Sequence, residues 1–489
     1  MKRLTLFATL ILLSMAFTSM ARTGYKLHVK IPGVKDSMVF LAHYYGEPLP
    51  KIYKRDSARF DKNGNAEFTT NDTTFVGGIY MMLLSDKKTY FEFLLNSGDE
   101  ITMNVNLDKL PDGVKFKNSP ENERFQAYVD FLKGYSAGQE KLKNELAAAK
   151  TEADTAAVRK KAQVSAKDLT NYRHDYVAKY PGSLLANIFS ALEVPIVPEG
   201  DHFLEDGKTK DSTFAYNYYK AHFWDGFNYQ DDRLIHTPIL QTKLEEYMNK
   251  LVLPYPDSVN AESDRLLKKA KGTKDLFKYT LWWLTRNVEN SKVMGMDECF
   301  VYLVENYYMK GDAFWLTNEE LTRYMDRAMK IAPNVIGNVS PEVKTKNVFT
   351  QKDESMMSIK GNWTLLIFYS PDCGHCQKEI PEIDSLYEVA LKAKGVKVFT
   401  VSTEGDSKKI QEFLTKNKLD PKWTNTWDPD HLSDYRGKFD VYSTPTIYLL
   451  DEKKIIRGKR LDHSNILSVI EMQERKAKDK AAKEKEKKK

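Results

Sequence analysis

Two cysteines separated by Gly374 and His375 carry the clearest chemistry in this sequence, within Ser370-Pro371-Asp372-Cys373-Gly374-His375-Cys376. Thiols at this spacing can close into a disulfide and reopen, exchanging two electrons with another disulfide. The attacking species is the thiolate, so the chemistry needs one sulfur held where negative charge is favoured. A helix start is such a place, because its backbone N–H groups lack intrahelical partners and carry partial positive charge.

The flanking residues place Cys373 there. Trp363 to Tyr369 is an uninterrupted apolar run, expected as a buried strand, and Pro371-Asp372 marks a turn. Ile380, Ile383 and Leu386 then recur at helical spacing, so Cys373 falls where a strand turns into a helix. Downstream, the pattern predicts a strand at Val396 to Ser402, a helix from Asp406 to Asn417 and strands at Thr446 to Leu450 and around Lys454 to Arg457. A last helix begins at Ser464. This alternation predicts an α/β domain over 333–474, entered through the linker-like Pro333 to Pro341. Pro445, directly before an apolar strand, reads as a turn proline, expected in the cis form.

The chain of 489 residues is long enough for about three domains. Residues 22–117 alternate over short runs such as Tyr25 to Ile31, Tyr90 to Leu95 and Ile101 to Val105. Turn signals such as Asp61-Lys62-Asn63-Gly64 separate them, and an antiparallel β module is expected. At Ser119-Pro120-Glu121 a helix begins, with Ser119 at the cap and Pro120 in the first turn, and helical spacing continues over 118–332. Within it, Ala221 to Pro238 mixes aromatics, acids and histidines. A metal reading would use His222, Asp225, Asp231 or His236. These have no repeated ligand spacing, so aromatic packing with an Asp-Arg pair is the expectation. The third cysteine, Cys299, lies in an apolar run and reads as a small buried hydrophobe.

The formal charge of +6 could suggest nucleic acid or a membrane surface, but its location implies no basic face on the body and leaves attraction of the tail to anionic lipid as the minor alternative. Nine basic and three acidic residues lie between Arg475 and Lys489, leaving 65 against 65 elsewhere. The tail, 475–489, is expected as a solvated helix or a frayed end. Lys2-Arg3, the apolar stretch Leu4 to Phe17 and Ser19-Met20-Ala21 follow the order of a secretory signal over 1–21. Export followed by cleavage is expected, giving a soluble exported protein. Three cysteines in an exported chain do not make a disulfide framework, so the close pair is expected to be redox-active.

Together the strand, Cys373-Gly374-His375-Cys376, Pro381 and Thr444-Pro445 resemble the thioredoxin fold. The 72-residue separation of Cys373 and Pro445, with its extra strand-helix segment, resembles the TlpA-like periplasmic subgroup. The upstream β and helical regions resemble those of multidomain thioredoxin-like envelope proteins of Gram-negative bacteria, a resemblance that implies a periplasmic location. The whole then reads as an all-β N-terminal module, an all-α middle domain and a C-terminal α/β thioredoxin fold. The resemblance implies that Cys373 is the exposed attacking thiol and Cys376 the buried resolving one, with Pro445 facing the pair across the substrate groove. The Gly374-His375 dipeptide resembles that of protein disulfide isomerase, which gives His375 a place in stabilising the thiolate. Many thioredoxins carry an acid six residues before the first cysteine, where this chain has Ile367. Glu404 is the candidate replacement and Asp406 the alternative.

The implied activity is thiol:disulfide exchange with protein substrates, reductase-like, with isomerase and oxidase directions open. It needs no cofactor or metal, and as a reductase it needs a membrane or periplasmic electron donor. A peroxidase reading finds a foothold in Ser370-x-x-Cys373, but the proline such enzymes place earlier in the loop is replaced by Leu366. The alternative from another class is an envelope binding or scaffold protein whose upstream domains recognise a ligand.

Overall fold

A computed structural model describes residues 23–35, 37–110, 112–419 and 422–486 of the chain. The expected leader at 1–21 lies outside them. The chain divides into two compact units, one of residues up to 251 with 266–280, the other of 252–265 with 281 onward. The helical region expected over 118–332 is thus shared between both. Among the described residues no helix is long and apolar enough to cross a membrane.

The first unit opens with strands β1 (Tyr25–Lys30), β2 (Met38–His43), β3 (Tyr53–Arg59), β4 (Asn65–Thr70), β5 (Gly78–Leu84), β6 (Tyr90–Leu95), β7 (Asp99–Val105) and β8 (Val114–Lys117). They form two four-stranded sheets, ordered β4-β1-β7-β8 and β3-β2-β5-β6. Alternation sets their inner faces: Tyr25, Leu27 and Val29 of β1 point into a core with Leu41, Phe68, Phe93 and Met103, while Lys26 and Lys30 face outward. The antiparallel expectation fails for one pair, because β1 and β7 run parallel from Tyr25 opposite Asp99 to Lys30 opposite Asn104. Five strands separate the two in sequence, so no hairpin forces β7 to reverse against β1.

Ser119 caps α1 (Pro120–Ala148) by position, but its side chain makes no cap hydrogen bond. Its Oγ instead accepts from Asn122 Nδ2 at 2.8 Å, and the Asn122 amide also bridges the backbone N–H and C=O of Leu94, each at 2.7 Å. A buried amide therefore fastens the helix start to β6. α1 pairs with α2 (Glu152–Lys179), which opens on a capping box between Thr151 and Asp154. Short helices α3 (Leu184–Ala191), α4 (Phe214–His222) and α5 (Leu240–Glu246) follow. In the Ala221 to Pro238 segment, Phe223, Trp224, Phe227 and Tyr229 pack on one another and Arg233 pairs with Asp231 at 2.7 Å. His222 is bound to Asp225 at 2.6 Å, whereas His236 stacks near His43 with its Nδ1 3.0 Å from the Gly77 carbonyl.

Helices α6 (Pro256–Ala270) and α7 (Asp275–Glu289) contribute residues to both units. The second unit continues with α8 (Met296–Leu303) and α9 (Asn318–Ile331). Cys299 of α8 is fully buried, and burial pushes its thiol up to about 12, so it packs as an inert apolar group. The remaining elements are β9 (Lys344–Asn347), β10 (Asp353–Ser355), β11 (Trp363–Tyr369), α10 (Gly374–Leu386), β12 (Val396–Ser402), α11 (Ser407–Lys416), β13 (Thr424–Trp427), α12 (Tyr435–Lys438), β14 (Thr446–Asp451), β15 (Ile456–Lys459) and α13 (Ile466–Glu486).

They build one seven-stranded sheet, β10-β9-β13-β12-β11-β14-β15, with β11 parallel to β12 and antiparallel to β14. Every β11 side chain is buried, because both sheet faces are covered. Leu365, Ile367 and Tyr369 join Cys376 and Ile380 on one side, while Leu366 and Phe368 join Phe399 and Phe439 on the other. At about 1.5–3 kcal/mol for each large side chain buried, this strand anchors the domain. Buried charge is also built in, at Lys454 and Lys459. Lys459 of β15, 3% exposed, pairs with Asp297 of α8 and donates to the backbone oxygen of Asn334 at 3.0 Å and to its Oδ1 at 2.5 Å.

Candidate active site

Cys373 is the N-cap of α10, so its sulfur lies beside the unpaired amides of the first helical turn. The turn is closed by Cys373 N–H donating to the Ser370 carbonyl at 3.1 Å, and Gln377 Nε2 ties the helix back to the Pro371 carbonyl at 2.9 Å. Cys373 is half-buried and Cys376, one turn on, is fully buried against the β11 core. Both are free thiols.

Thr444 lies across from them, and the Thr444–Pro445 bond is cis. In the thiol form, Cys373 Sγ–H donates to the Thr444 carbonyl oxygen at 3.2 Å. The Cys373 thiolate is favoured first by a hydrogen bond from the Thr444 side chain, then by the amides of Cys376 and His375 and the Cys376 thiol. Together these outweigh partial burial and lower the Cys373 pKa. Cys376 moves the other way. Burial, chiefly, raises it to about 11, against weaker help from Ser370 and Thr444. At neutral pH the pair therefore holds a reactive sulfur toward solvent and a protonated one behind it.

Of the residues expected at the site, Cys373, Gly374, His375, Cys376, Thr444 and Pro445 converge on one loop pair. Gly374 and His375 are exposed, and His375 takes part through its backbone amide. Glu404 does not join them by hydrogen bonding. Its Oε1 accepts from the Gly405 amide at 2.9 Å and the Asp406 amide at 3.2 Å, while Asp406 caps α11. Two further ionisable groups lie on the elements that carry the pair. Glu379, three residues after Cys376 on α10, accepts from the His463 backbone at 2.5 Å and from its ring at 2.9 Å, and this raises the His463 pKa. The i, i+3 spacing is the signal that would have found it. Tyr369 lies on the Cys376 side of β11, and its buried hydroxyl makes no hydrogen bond of good geometry.

The comparisons with known proteins fall on the same region. Residues 336–459 match the AhpC/TSA family. Upstream, 25–125 and 188–334 match two families described as domains of unknown function, DUF4369 and DUF5106. The chain is 31% identical over 127 residues to the thioredoxin-like protein YneN of Bacillus subtilis, covering 25% of this chain and 68% of that protein. It is also 31% identical over 105 residues to sporulation thiol-disulfide oxidoreductase A of the same organism, covering 21% of this chain and 61% of that protein. A crystal structure of a thioredoxin-like protein from Bacteroides caccae is 18% identical, with 57% of this chain and 97% of that chain covered at a TM-score of 0.45.

Proposed function

Because the chain belongs to the thioredoxin-like thiol-disulfide oxidoreductase family, we propose that it exchanges disulfides with protein clients through Cys373 and Cys376. The Cys373 thiolate attacks one sulfur of a client disulfide, forming a mixed disulfide and expelling the other client sulfur as a thiolate, which takes up a proton. Cys376 then loses its proton and attacks Cys373 Sγ. The internal disulfide forms, the second client thiol leaves, and two electrons have passed from the Cys373–Cys376 dithiol to the client. The dithiol is regenerated by an external dithiol donor.

The observation that carries this reading is the opposed displacement of the two thiols, with Thr444 interacting with both. A group raised to about 11 is a poor first attacker. Once the mixed disulfide has formed, Cys376, one turn along α10, is the thiol left to break it. We read the chain as exported, on the order of charges and apolar residues in its first 21 positions, and its periplasmic location and reductase-like direction on its resemblance to the TlpA-like proteins. An oxidising periplasm then requires a membrane or periplasmic donor of electrons.

The test is Cys376→Ser in the full chain, expressed in cells. It should accumulate mixed disulfides between Cys373 and client proteins that reductant releases, while the unaltered reduced protein should precipitate insulin by reducing its disulfides. A reduced protein with both thiols titratable that leaves insulin untouched would overturn the function.

A further inference from the structure

A polar cavity of about 450 Å³ opens beside Pro445. Its walls come from three places distant in sequence: Arg327 of α9, the loop Asp440 to Pro445, and Arg460 just after β15. Its lining includes Ser443 and Pro445, the two chain neighbours of Thr444, whose carbonyl oxygen is 3.2 Å from Cys373 Sγ, so the cavity adjoins the loop that meets the reacting sulfur.

Its charges are layered. The carboxylate of Asp440 is at the floor, 6% exposed, with Arg460 at 3.8 Å, and the floor ammonium of Lys459 is already taken by Asp297 and Asn334. The guanidinium groups are outermost, with the Arg327 side chain 39% and the Arg460 side chain 55% exposed. Arg327 approaches Glu289 to 3.4 Å through Nε, but that atom makes no hydrogen bond. The charge an incoming chain meets first is therefore positive, and planar guanidinium forks suit a carboxylate. Tyr442, 67% exposed, adds an aromatic surface at the mouth of the cavity, the kind of rigid amphipathic ring that peptide-binding surfaces use.

We propose that this cavity is a client subsite that selects disulfide-bearing segments with a carboxylate close to the reacting cysteine, read by Arg327 and Arg460. The inference rests on the disulfide-exchange reading above. It gives the helical segment upstream of the sheet a part in client choice, because α9 supplies one of the two guanidinium groups.

The experiment uses the full reduced chain and three disulfide-bridged peptides that differ at one position next to a cysteine, Glu, Gln or Lys. Hydroxyethyl disulfide serves as a neutral small substrate. The expected order of kcat/KM is Glu above Gln above Lys, with about a five- to tenfold span at low salt that narrows as salt rises. In Arg460→Gln the span should shrink, and in the Arg327→Gln, Arg460→Gln double variant it should fall toward one. Equal rates for the three peptides with the unaltered chain, alongside normal turnover of hydroxyethyl disulfide, would overturn the subsite alone. So would a span that survives in the double variant. Failure to turn over hydroxyethyl disulfide would overturn the exchange reading beneath it.

Discussion

The cysteine pair of the second unit and the histidine pair of the first are both pairs of ionisable groups shifted from their usual pKa values, and they behave differently. His43 and His236 lie with ring centroids 4.2 Å apart, and burial lowers both, His236 to about 3. His43 adds to the lowering of His236, whose Nδ1 is satisfied as a neutral donor by the carbonyls of Val76 and Gly77. A Cβ at Gly78 would sit 2.2 Å from that of His236, so the two backbones approach closely where the ring is rooted. At Cys373 and Cys376 the displacements are opposed, because one sulfur occupies a helix start beside Thr444 and the other the core. Burial that pushes a whole cluster toward neutrality reads as packing. Burial that raises one member of a pair while hydrogen bonds lower the other reads as chemistry.

The contrast breaks most sharply on thiol reactivity. With Cys373 below its usual value of 9.0 and Cys376 near 11, the thiolate populations at pH 7 should differ by more than about 100-fold. Alkylation of the reduced native protein with iodoacetamide, followed by peptide mapping, should label Cys373 first by at least that margin. Comparable labelling of both would remove the asymmetry on which the reading of the site depends.

The histidine pair makes a smaller, opposite kind of prediction. Its folded pKa values lie below the unfolded value of about 6.5, so between that pH and about 3 the unfolded chain binds more protons. The stability is complete above about 6.5 and is lost as pH falls, by up to about 1.4 kcal/mol per pH unit for each histidine. Urea unfolding of the first unit at pH 7, 6 and 5 should trace that slope, and His236→Asn should flatten it. A slope unchanged in the variant would place the acid sensitivity elsewhere.

What the sequence made legible follows the same division. The buried strand at Trp363–Tyr369, the helix start after Cys373 and the cis bond before Pro445 were readable because each has a local cause: an apolar run, a turn dipeptide, a proline before a strand. Strands β9, β10 and β13 were not. Asp353–Ser355 and Thr424–Trp427 are short and polar, and they hold their places through partners such as Thr345 Oγ1 donating to Thr426 Oγ1 at 2.7 Å, a contact that 81 residues separate. Glu404 carried the right charge in the right segment. Its local backbone claims it, since an acid just before a helix finds unpaired amides within two residues. The cavity beside Pro445 had no spacing to announce it, because 133 residues separate its two guanidinium groups.

The buried ammonium of Lys459 bears on how far this redox domain is portable. Its partners, Asp297 and Asn334, straddle the point at which the sequence pattern turns from helical to α/β. A fragment begun at residue 333 would keep the strand that carries Lys459 and lose Asp297, leaving a desolvated cation without its counter-ion, a loss of about 3–5 kcal/mol. Exchanging this domain between chains therefore requires moving α8 with it, and the unit of inheritance is longer than the unit of chemistry.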